Sequence, residues 1–433
     1  MKPTEAGTPG DSPALPPDAA APPRTASSGG VGPLFVTAFA AAYCGIYVAL
    51  VTPTTVTLAM KVHDIAPDRE NQVFSLVLGV GSVLAILGNP LFGRLSDRTV
   101  SRLGMRKPWL LGGSLAGALG ILLVVLAEGV PLLLLGWCLA QLGFNAVLAA
   151  LVALLPDQVP VEERGRVSGA LGLCLPVALV IGSFLAQVAA PSVALMFLLP
   201  TAVGVVTVVA LALLLRDRHL SAKDRPPFTV RGFLQSYWVN PVRQPDFGWA
   251  WLSRFLMFMG TSVLSAYKSF YLMDHFGFRA SEVPRLVFLT LVAQAVVTVV
   301  TSQACGRLSD RLMRRKIFVL AASAVYGVGL ALVAFAGSFG VFVAAVALCG
   351  VGFGAYLSVD LALVADVLPS RETAARDLGV FNIANALPQT LAPALAPAVL
   401  GVGGGDNYPL LFLLAACSAM LGAVAVQPIR GVR

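Results

Sequence analysis

The chain contains one six-residue run twice: Gly93-Arg94-Leu95-Ser96-Asp97-Arg98, and again, letter for letter, Gly306-Arg307-Leu308-Ser309-Asp310-Arg311. A weaker echo lies further along each half, where Leu-Pro-Asp-Gln-Val-Pro at 155–160 corresponds to Val-Ala-Asp-Val-Leu-Pro at 364–369. Both pairs are separated by roughly 210 residues. Equal spacing of two unrelated motifs indicates that one structural unit is duplicated within the chain.

Long apolar runs surround these motifs. Of the 433 residues, 57% are hydrophobic and 12% are charged, and the mean hydropathy is +0.82. A soluble protein cannot cover its surface with this composition. A helix needs about 20 apolar residues to cross a bilayer, and the gaps between charges allow six spans in each half. The sequence therefore predicts an all-α integral membrane protein with twelve transmembrane helices in two pseudo-symmetric six-helix bundles.

The charged and low-complexity segments divide the chain. We expect a disordered tail at 1–30, bundles at 31–215 and 247–428, a linker at 216–246 and a short tail at 429–433. Most of the 30 Lys and Arg residues fall in the tails, the linker and the loops on one side. Cytoplasmic loops carry such an excess, so we predict a cytoplasmic-membrane protein with both termini and the linker inside.

Several function classes are disfavoured by what the sequence lacks. Its basic residues form no continuous face for nucleic acid. Its six cysteines and three histidines show no metal-binding or redox spacing. No phosphate-binding loop of the G-x-x-x-x-G-K-[ST] type is present, and no span pairs a nucleophile with a base. We therefore expect that the protein is not an enzyme and uses no cofactor. We also expect that a proton gradient drives it and that it is a monomer.

The first copy of the repeated motif continues through Gly104, Arg106 and Lys107. With this extension it resembles the loop signature of the major facilitator superfamily, and its spacing is similar to the sucrose-type, or glycoside–cation symporter, branch. Met105 stands where that branch often has a basic residue. The resemblance implies that two bundles rock about a central site to carry a small organic solute. It also implies a cavity lined by the first, fourth, seventh and tenth helices.

The resemblance implies a cytoplasmic gate as well. A carboxylate is stabilised at a helix N-terminus, so Asp97 could face the eleventh helix near 376–379, and Asp310 the fifth near 166–169. These contacts would form only while the cytoplasmic side is closed. The alternative is that the charges only set topology. The gating candidates are Gly93, Asp97, Arg98, Asp157, Arg166, Gly306, Asp310, Arg311, Asp366 and Arg376.

Charged residues inside spans are costly and usually functional. Arg254 on the seventh span and Asp360 on the tenth fall at comparable depth, and we predict that they pair and face the cavity. A structural ion pair within the second bundle is the alternative. Lys268, near the outer end of the seventh span, is expected to extend its amine to the outer interface, with a role in the site as the alternative.

Uncharged polar residues complete the candidate site. They are Tyr47 on the first span, Gln141 and Asn145 on the fourth, Tyr267 on the seventh, and Asn382, Asn385 and Gln389 on the eleventh. The last three share one helix face because they are spaced i, i+3, i+7. These side chains could equally serve to hydrogen-bond one helix to another instead of contacting a solute.

The direction of transport stays open. The branch resemblance favours proton-coupled uptake of a sugar-like solute. The first six spans, however, hold no buried carboxylate of the kind expected for coupling in that branch. A mostly apolar cavity also suits efflux of a hydrophobic metabolite or drug by proton antiport, yet Gly172, Pro176 and Gly182 match the drug-exporter signature poorly, since no Gly-Pro pair is present.

Overall fold

The computed structural model describes residues 32–160, 163–221, 244–312, 315–367, 374–403 and 406–429. The tail at 1–30, most of the linker at 216–246 and nearly all of the tail at 429–433 lie outside the described residues. Within them, every regular element is a helix. The all-α expectation is confirmed.

The described part of the first half contains six long helices, and two of them are irregular. Helix α1 continues through a π-helical turn, Pro53–Thr57, into Leu58–Ile65, and α5 is divided at Leu173. The bounds are α1 Pro33–Thr52, α2 Glu70–Ser96, α3 Lys107–Leu126, α4 Val130–Gln158, α5 Arg164–Gly172 with Cys174–Ala189, and α6 Val193–Leu214.

The second half repeats this arrangement. Helix α7 ends in a π-helical turn, Tyr271–His275. The bounds are α7 Pro245–Phe270, α8 Val283–Leu312, α9 Arg315–Ala334, α10 Phe339–Val367, α11 Ala374–Leu400 and α12 Tyr408–Ala425.

Eleven helical segments in the described ranges are long and apolar enough to cross a membrane. The twelfth, α7, has 26 residues and a length of about 39 Å, but Asp246, Arg254 and Lys268 make it more polar. Helix ends lie close to proline and glycine, because α5 stops at Ala189 before Pro191 and α9 stops at Ala334 before the glycines at 337 and 340. The chain is a multi-pass membrane protein with the predicted duplication.

Proline and threonine produce the irregularity in α1. Pro53 has no backbone N–H, so the α-helical hydrogen-bond ladder cannot continue through it. The hydroxyl of Thr55 donates to the carbonyl of Val51 at 2.8 Å and satisfies an acceptor in this turn. The π-helical turn lies next to α7 of the other half, so this irregular backbone is covered by protein rather than by lipid.

The two halves meet along α2 with α11 and along α5 with α8. We call the membrane side that carries the α1–α2 and α7–α8 turns the outer side, following the charge-based prediction. Toward this side and at mid-membrane, hydrogen bonds and ring contacts join the halves at Ser75–Tyr267, Ser269–Thr55, Ser82–Gln389, Phe74–Tyr267, Phe74–Phe270 and Phe184–Phe288. The outer side is therefore closed.

Candidate functional site

Arg254 lies roughly two and a half turns from the start of α7, and its guanidinium joins three helices of the second half. Its Nη1 donates to Asp360 Oδ2 on α10, and its Nε donates to Asn385 Oδ1 on α11. Both predicted partners are thus brought together at one depth. Asn385 is the third member of the cluster; the sequence placed it on one face of α11 with Asn382 and Gln389, and we call these three residues the α11 ladder.

Aromatic rings enclose this ion pair. The guanidinium carbon of Arg254 lies 4.9 Å from the ring centre of Phe381 and 5.5 Å from that of Phe258. The hydroxyl of Tyr356, one turn earlier on α10, lies against the carboxylate of Asp360. The two charged side chains are 11% and 5% exposed. Removing either charge would leave the other without a counter-charge in a low-dielectric environment, which would strongly destabilise the folded protein.

The first half contributes amides and phenols. On α4, Asn145 Nδ2 donates to Gln141 Oε1 at 3.1 Å and to the Gln141 carbonyl at 2.8 Å. On α1, the rings of Tyr43 and Tyr47 meet edge to face with centres 5.2 Å apart. None of these four side chains contacts Arg254 or Asp360. The structure therefore places the candidates in separate groups, one in each half.

The α11 ladder divides in a similar way. Asn385 binds Arg254, whereas the exposed Gln389 donates through Nε2 to the Asn385 carbonyl at 3.4 Å. The main-chain carbonyl of Gln389 accepts the Ser82 hydroxyl from α2 at 3.3 Å. The side chain of Asn382 lies outside the described part of the chain. The ladder thus serves the ion pair at one residue and the contact between halves at another.

Lys268 does not reach the outer interface, so the expectation of an extended amine is wrong. The residue is 3% exposed and lies near Cys349 of α10. The reason is the π-helical turn at Tyr271–His275, which prolongs α7 by more than one turn and leaves Lys268 below the surface. Among the described residues, its amine makes no hydrogen bond or ion pair.

Tyr267 lies in the contact between halves rather than beside Arg254. Its hydroxyl forms a 2.6 Å hydrogen bond with Ser75 Oγ on α2 and lies 3.4 Å from the Pro393 carbonyl on α11. Its ring packs edge to face on Phe74 with centres 6.0 Å apart. The geometry makes Tyr267 part of the outer closure.

The repeated loop motif in the first half is organised by Arg106, which the sequence candidates did not include. The guanidinium binds Asp97 at 2.6 Å and Asp157 at 2.8 Å, and it also donates to Ser96. Burial disfavours the charge of Arg106, but Asp157 and then Asp97 outweigh this effect and raise the pKa of the guanidinium. Asp97 therefore pairs within its own half, with Asp157 as co-ligand.

The structure describes the other gating candidates only in part. Arg166 pairs with Glu163 at 2.8 Å in the first turn of α5 and remains exposed. Arg98 is half-buried just after α2, and Arg311 is exposed at the end of α8. The side chains of Asp310, Asp366 and Arg376 lie outside the described residues, so the expected contacts at the N-termini of α5 and α11 stay predictions.

The glycines of the motif differ in what surrounds them. A Cβ on Gly93 would meet no described atom within 4 Å, and one on Gly306 would lie 3.6 Å from Ser358 Cβ. Gly104, in contrast, has a φ of +106°, and a Cβ there would lie 2.4 Å from the carboxyl group of Asp217. Asp217 accepts the backbone N–H groups of Arg106 and Lys107 at 2.7 Å each. Gly104 therefore lets the loop fold over the start of α3.

Two bundles with duplicated loop motifs, a closed outer side and a buried ion pair define a membrane transporter rather than an enzyme. The sequence profile of the Major Facilitator Superfamily matches residues 34–298 and 284–431. The chain therefore belongs to this family, as the loop motifs had indicated.

Two solved structures of transporters share this fold. A bacterial homologue of the human lysosomal transporter Spinster, in an inward-facing and unoccupied conformation, superposes with a TM-score of 0.68 at 16% identity, over 93% of this chain and 99% of that one. A mutant of the nucleoside transporter NupG superposes with a TM-score of 0.72 at 11% identity, over 91% and 99%. At these identities the likeness shows the fold.

A curated relative, the uncharacterized symporter sll1374 of Synechocystis sp., is 49% identical over 43 residues. This match covers 10% of the present chain and 8% of the relative. A match this short gives no information about the activity of the whole protein. The chain is a Major Facilitator Superfamily transporter, and its solute is a small molecule that crosses a membrane.

Proposed function

We propose that this transporter moves a sugar-like organic solute into the cell by proton symport across the cytoplasmic membrane, acting as a monomer. The observation that carries the proposal is Asp360, a carboxylate inside a membrane-spanning helix that binds Arg254. Such a group can take up a proton and thereby change the charge of the cluster that surrounds it.

Protonation would neutralise Asp360 and weaken its hold on Arg254. The guanidinium keeps its bond to Asn385 and its contacts with Phe258 and Phe381, so it need not leave the site. Its freed N–H groups can then donate to hydroxyl or carbonyl oxygens of a solute. A proton at Asp360 would in this way favour solute binding, which is the requirement for symport.

The first half supplies chemistry suited to a polar ring. Tyr43 and Tyr47 offer aromatic faces, and Gln141 and Asn145 offer amide donors and acceptors. Aromatic packing combined with amide hydrogen bonds suits a hydroxylated ring. Further support comes from the sequence resemblance to the sucrose-type branch, from the short match to a symporter and from the likeness of fold to a nucleoside transporter.

One observation favours efflux of a hydrophobic metabolite or drug by proton antiport as a second candidate. The middle portions of the first six spans carry no carboxylate, so proton and solute hydroxyls have no acidic partner in that half. In antiport the same Asp360–Arg254 pair would bind the proton while the solute leaves. The two candidates differ in the sign of coupling rather than in the residues used.

The experiment is radiolabelled flux into proteoliposomes with and without an imposed pH gradient, using a sugar panel and a set of hydrophobic cations. We expect Arg254→Ala and Asp360→Ala each to abolish flux, because each leaves one charge uncompensated. Glu128→Gln, which changes an exposed carboxyl in the α3–α4 turn, is the matched control and should transport normally.

The charge-swapped double variant, Arg254→Asp with Asp360→Arg, separates coupling from stability. We expect it to recover folding, measured by monodispersity and thermal unfolding, without proton-driven flux. Recovery of both would show that the pair is structural. Normal flux in both single variants would place the site elsewhere, and the α11 ladder would be tested next.

A further inference from the structure

The outer ends of the two halves meet around Tyr408. This residue begins α12 and is 1% exposed, and its hydroxyl donates to Asp274 Oδ2 in the π-helical turn that ends α7. From the other half, Asn71 in the first turn of α2 lies against the same hydroxyl. The Oδ1 atom of Asn71 is buried and receives no hydrogen bond from a described residue.

Ionisable groups from three neighbouring segments act on Asp274. Glu70 approaches it from the start of α2 and Asp406 from the turn before α12, and both are acidic. His63, near the end of the α1 segment, binds Glu70 through Nδ1 at 2.7 Å and opposes their effect. Glu70 and Asp274 belong to different halves, so closing the outer side brings two carboxylates together, which favours protonation of one of them.

The surroundings favour the neutral form of Asp274. Partial burial raises the pKa of Asp274 to about 6, and the charges of Glu70 and Asp406 act in the same direction. The hydrogen bond from Tyr408 and the charge of His63 oppose the shift. The residue as a whole remains exposed, so protons reach it directly from the outer solution.

We propose that Asp274 is a proton-binding site of the outer gate, and that the bound proton holds the outer side closed. A proton taken from the outer solution adds to the carboxylate and removes the negative charge that faces Glu70. The new carboxyl O–H donates to the Tyr408 oxygen. The Asn71 side chain approaches the Tyr408 oxygen through its amide N–H side, so this amide turns over and its Oδ1 accepts the tyrosine O–H. Asn71 Oδ1 thereby gains the donor that it lacks, and the hydrogen-bond chain joins the two halves.

Proton binding to Asp274 is linked to closure of the outer side, and this linkage makes acidification favour the closed state. In an outward-open state Asp274 separates from Glu70 and is hydrated, so its pKa returns toward the ordinary value. A group whose pKa is raised in the closed state binds a proton on closure, and acidification therefore favours closure. The stabilisation of the closed state by this proton is complete below the ordinary pKa of aspartate. It is lost as the pH rises through about 6. Asp274 lies at the outer surface and Asp360 toward the opposite side, so this proton sets the gate without crossing the membrane.

The experiment measures the distance between the outer ends by double electron–electron resonance at pH 5 to 8. Spin labels are placed at Glu128→Cys and Gly337→Cys, which are exposed outer turns of the two halves, in full-length protein lacking the six native cysteines. We expect the short-distance population to increase as the pH falls, with a midpoint below about 6, because the closed state gains stability only as the pH drops beneath the raised pKa of Asp274.

The variants decide the assignment. Asp274→Asn should stay closed over the whole range, and Glu70→Gln should move the midpoint to lower pH because one repelling charge is gone. Glu282→Gln, which changes an exposed carboxyl in the α7–α8 turn, is the control and should titrate normally.

Three results would overturn the proposal: unchanged titration in Asp274→Asn, unchanged titration in Glu70→Gln if the first variant fails to fold, or closure driven by sodium chloride but not by choline chloride at fixed pH. Solute flux is measured separately. Loss of proton-driven flux with an intact gate titration would refute the proposed symport and leave this site in place.

Discussion

Two cations inside α7 show how differently the same helix treats a buried charge. Arg254 is matched by Asp360 and Asn385 and enclosed by two rings, whereas Lys268 has no bonding partner among the described residues. A lone ammonium in a low-dielectric interior loses hydration without compensation. Burial of Lys268 therefore destabilises the folded second half, whereas burial of the paired Arg254 does not.

Lys268→Met should accordingly raise the thermal unfolding temperature in detergent by a few degrees and leave transport intact. Methionine has similar length and fills the same space without a charge. Arg254→Met is the matched comparison and should lower the unfolding temperature, because Asp360 is then left unpaired. A folded Lys268→Met protein without flux would instead show that Lys268 acts in transport.

The sequence predicted one of these two environments correctly in its geometry. Helix direction and the count from each end place Arg254 and Asp360 at one depth, so their meeting could be foreseen. The placement of Lys268 could not, because it depends on a π-helical extension at Tyr271–His275 that no residue pattern announces. Phe258 and Phe381 were missed for a related reason, since an apolar helix offers many rings and only packing selects two.

At the scale of elements, Arg106 holds together the end of α2, the start of α3 and the end of α4. It binds two carboxylates that partly reach water, Asp97 at 50% and Asp157 at 22% exposure, while Arg106 itself is 4% exposed. The motif could be recognised from sequence. Its internal pairing could not, because several arginines in the same loop were equally plausible partners for Asp97.

Arg106→Ala should therefore destabilise the protein more than Asp97→Asn. The first change leaves two carboxylates without their shared cation and should cost roughly 1–3 kcal/mol. The second removes one exposed partner and should cost less than about 1 kcal/mol. Thermal unfolding of both variants, with exposed Arg102→Ala from the same loop as control, checks the order. Equal losses in the two variants would contradict the bridging role.

Glycines set how closely the duplicated helix pairs approach. On α3, a Cβ at Gly120 would lie 2.3 Å from the backbone nitrogen of Ala140 on α4. In the second half, a Cβ at Gly352 on α10 would lie 2.6 Å from the backbone nitrogen of Tyr326 on α9. Small residues permit such close backbone contact between membrane helices, and the equivalent pairs in both halves use them.

Gly120→Ala should force α3 and α4 apart and cost about 1–3 kcal/mol, because the obstructing atoms are backbone. Gly112→Ala on the same helix meets no atom within 4 Å and should be neutral or slightly stabilising, since alanine favours helix. The yield of monodisperse protein and its unfolding temperature distinguish the two. Similar losses at both positions would mean that helix contact is not the cause.

At the scale of the whole molecule, the orientation of the chain rests on its charge asymmetry. In intact cells, a membrane-impermeant thiol reagent should label a cysteine at Val402, which is 53% exposed in the α11–α12 turn, and should miss one at Ser221. Val402 is preferable to Gly403, whose φ of +89° disfavours a side chain. Labelling at position 221 from outside would invert the topology.

The closure of the outer side depends on a small number of polar contacts between halves that otherwise touch through aromatic rings. Tyr267 bonds to Ser75 across the interface, whereas Tyr271, one turn further on the same helical segment, bonds to the Val333 carbonyl within its own half at 2.8 Å. Both tyrosines are fully buried. The Tyr267 hydroxyl therefore connects the two halves, whereas the Tyr271 hydroxyl connects two helices of the second half.

Tyr267→Phe should shift the equilibrium toward the outward-open state, since it removes a hydrogen bond made only while the outer side is closed. A net value of about 0.5–1.5 kcal/mol for such a bond corresponds to roughly a 2- to 12-fold change in a balanced equilibrium. Distance measurements with labels at positions 128 and 337 should show a larger open population. Tyr271→Phe loses a comparable bond inside one half, so it should lower the unfolding temperature and leave the distances unchanged. If both variants moved the distances equally, closure would depend on the general stability of the second half rather than on the contact that Tyr267 makes with Ser75.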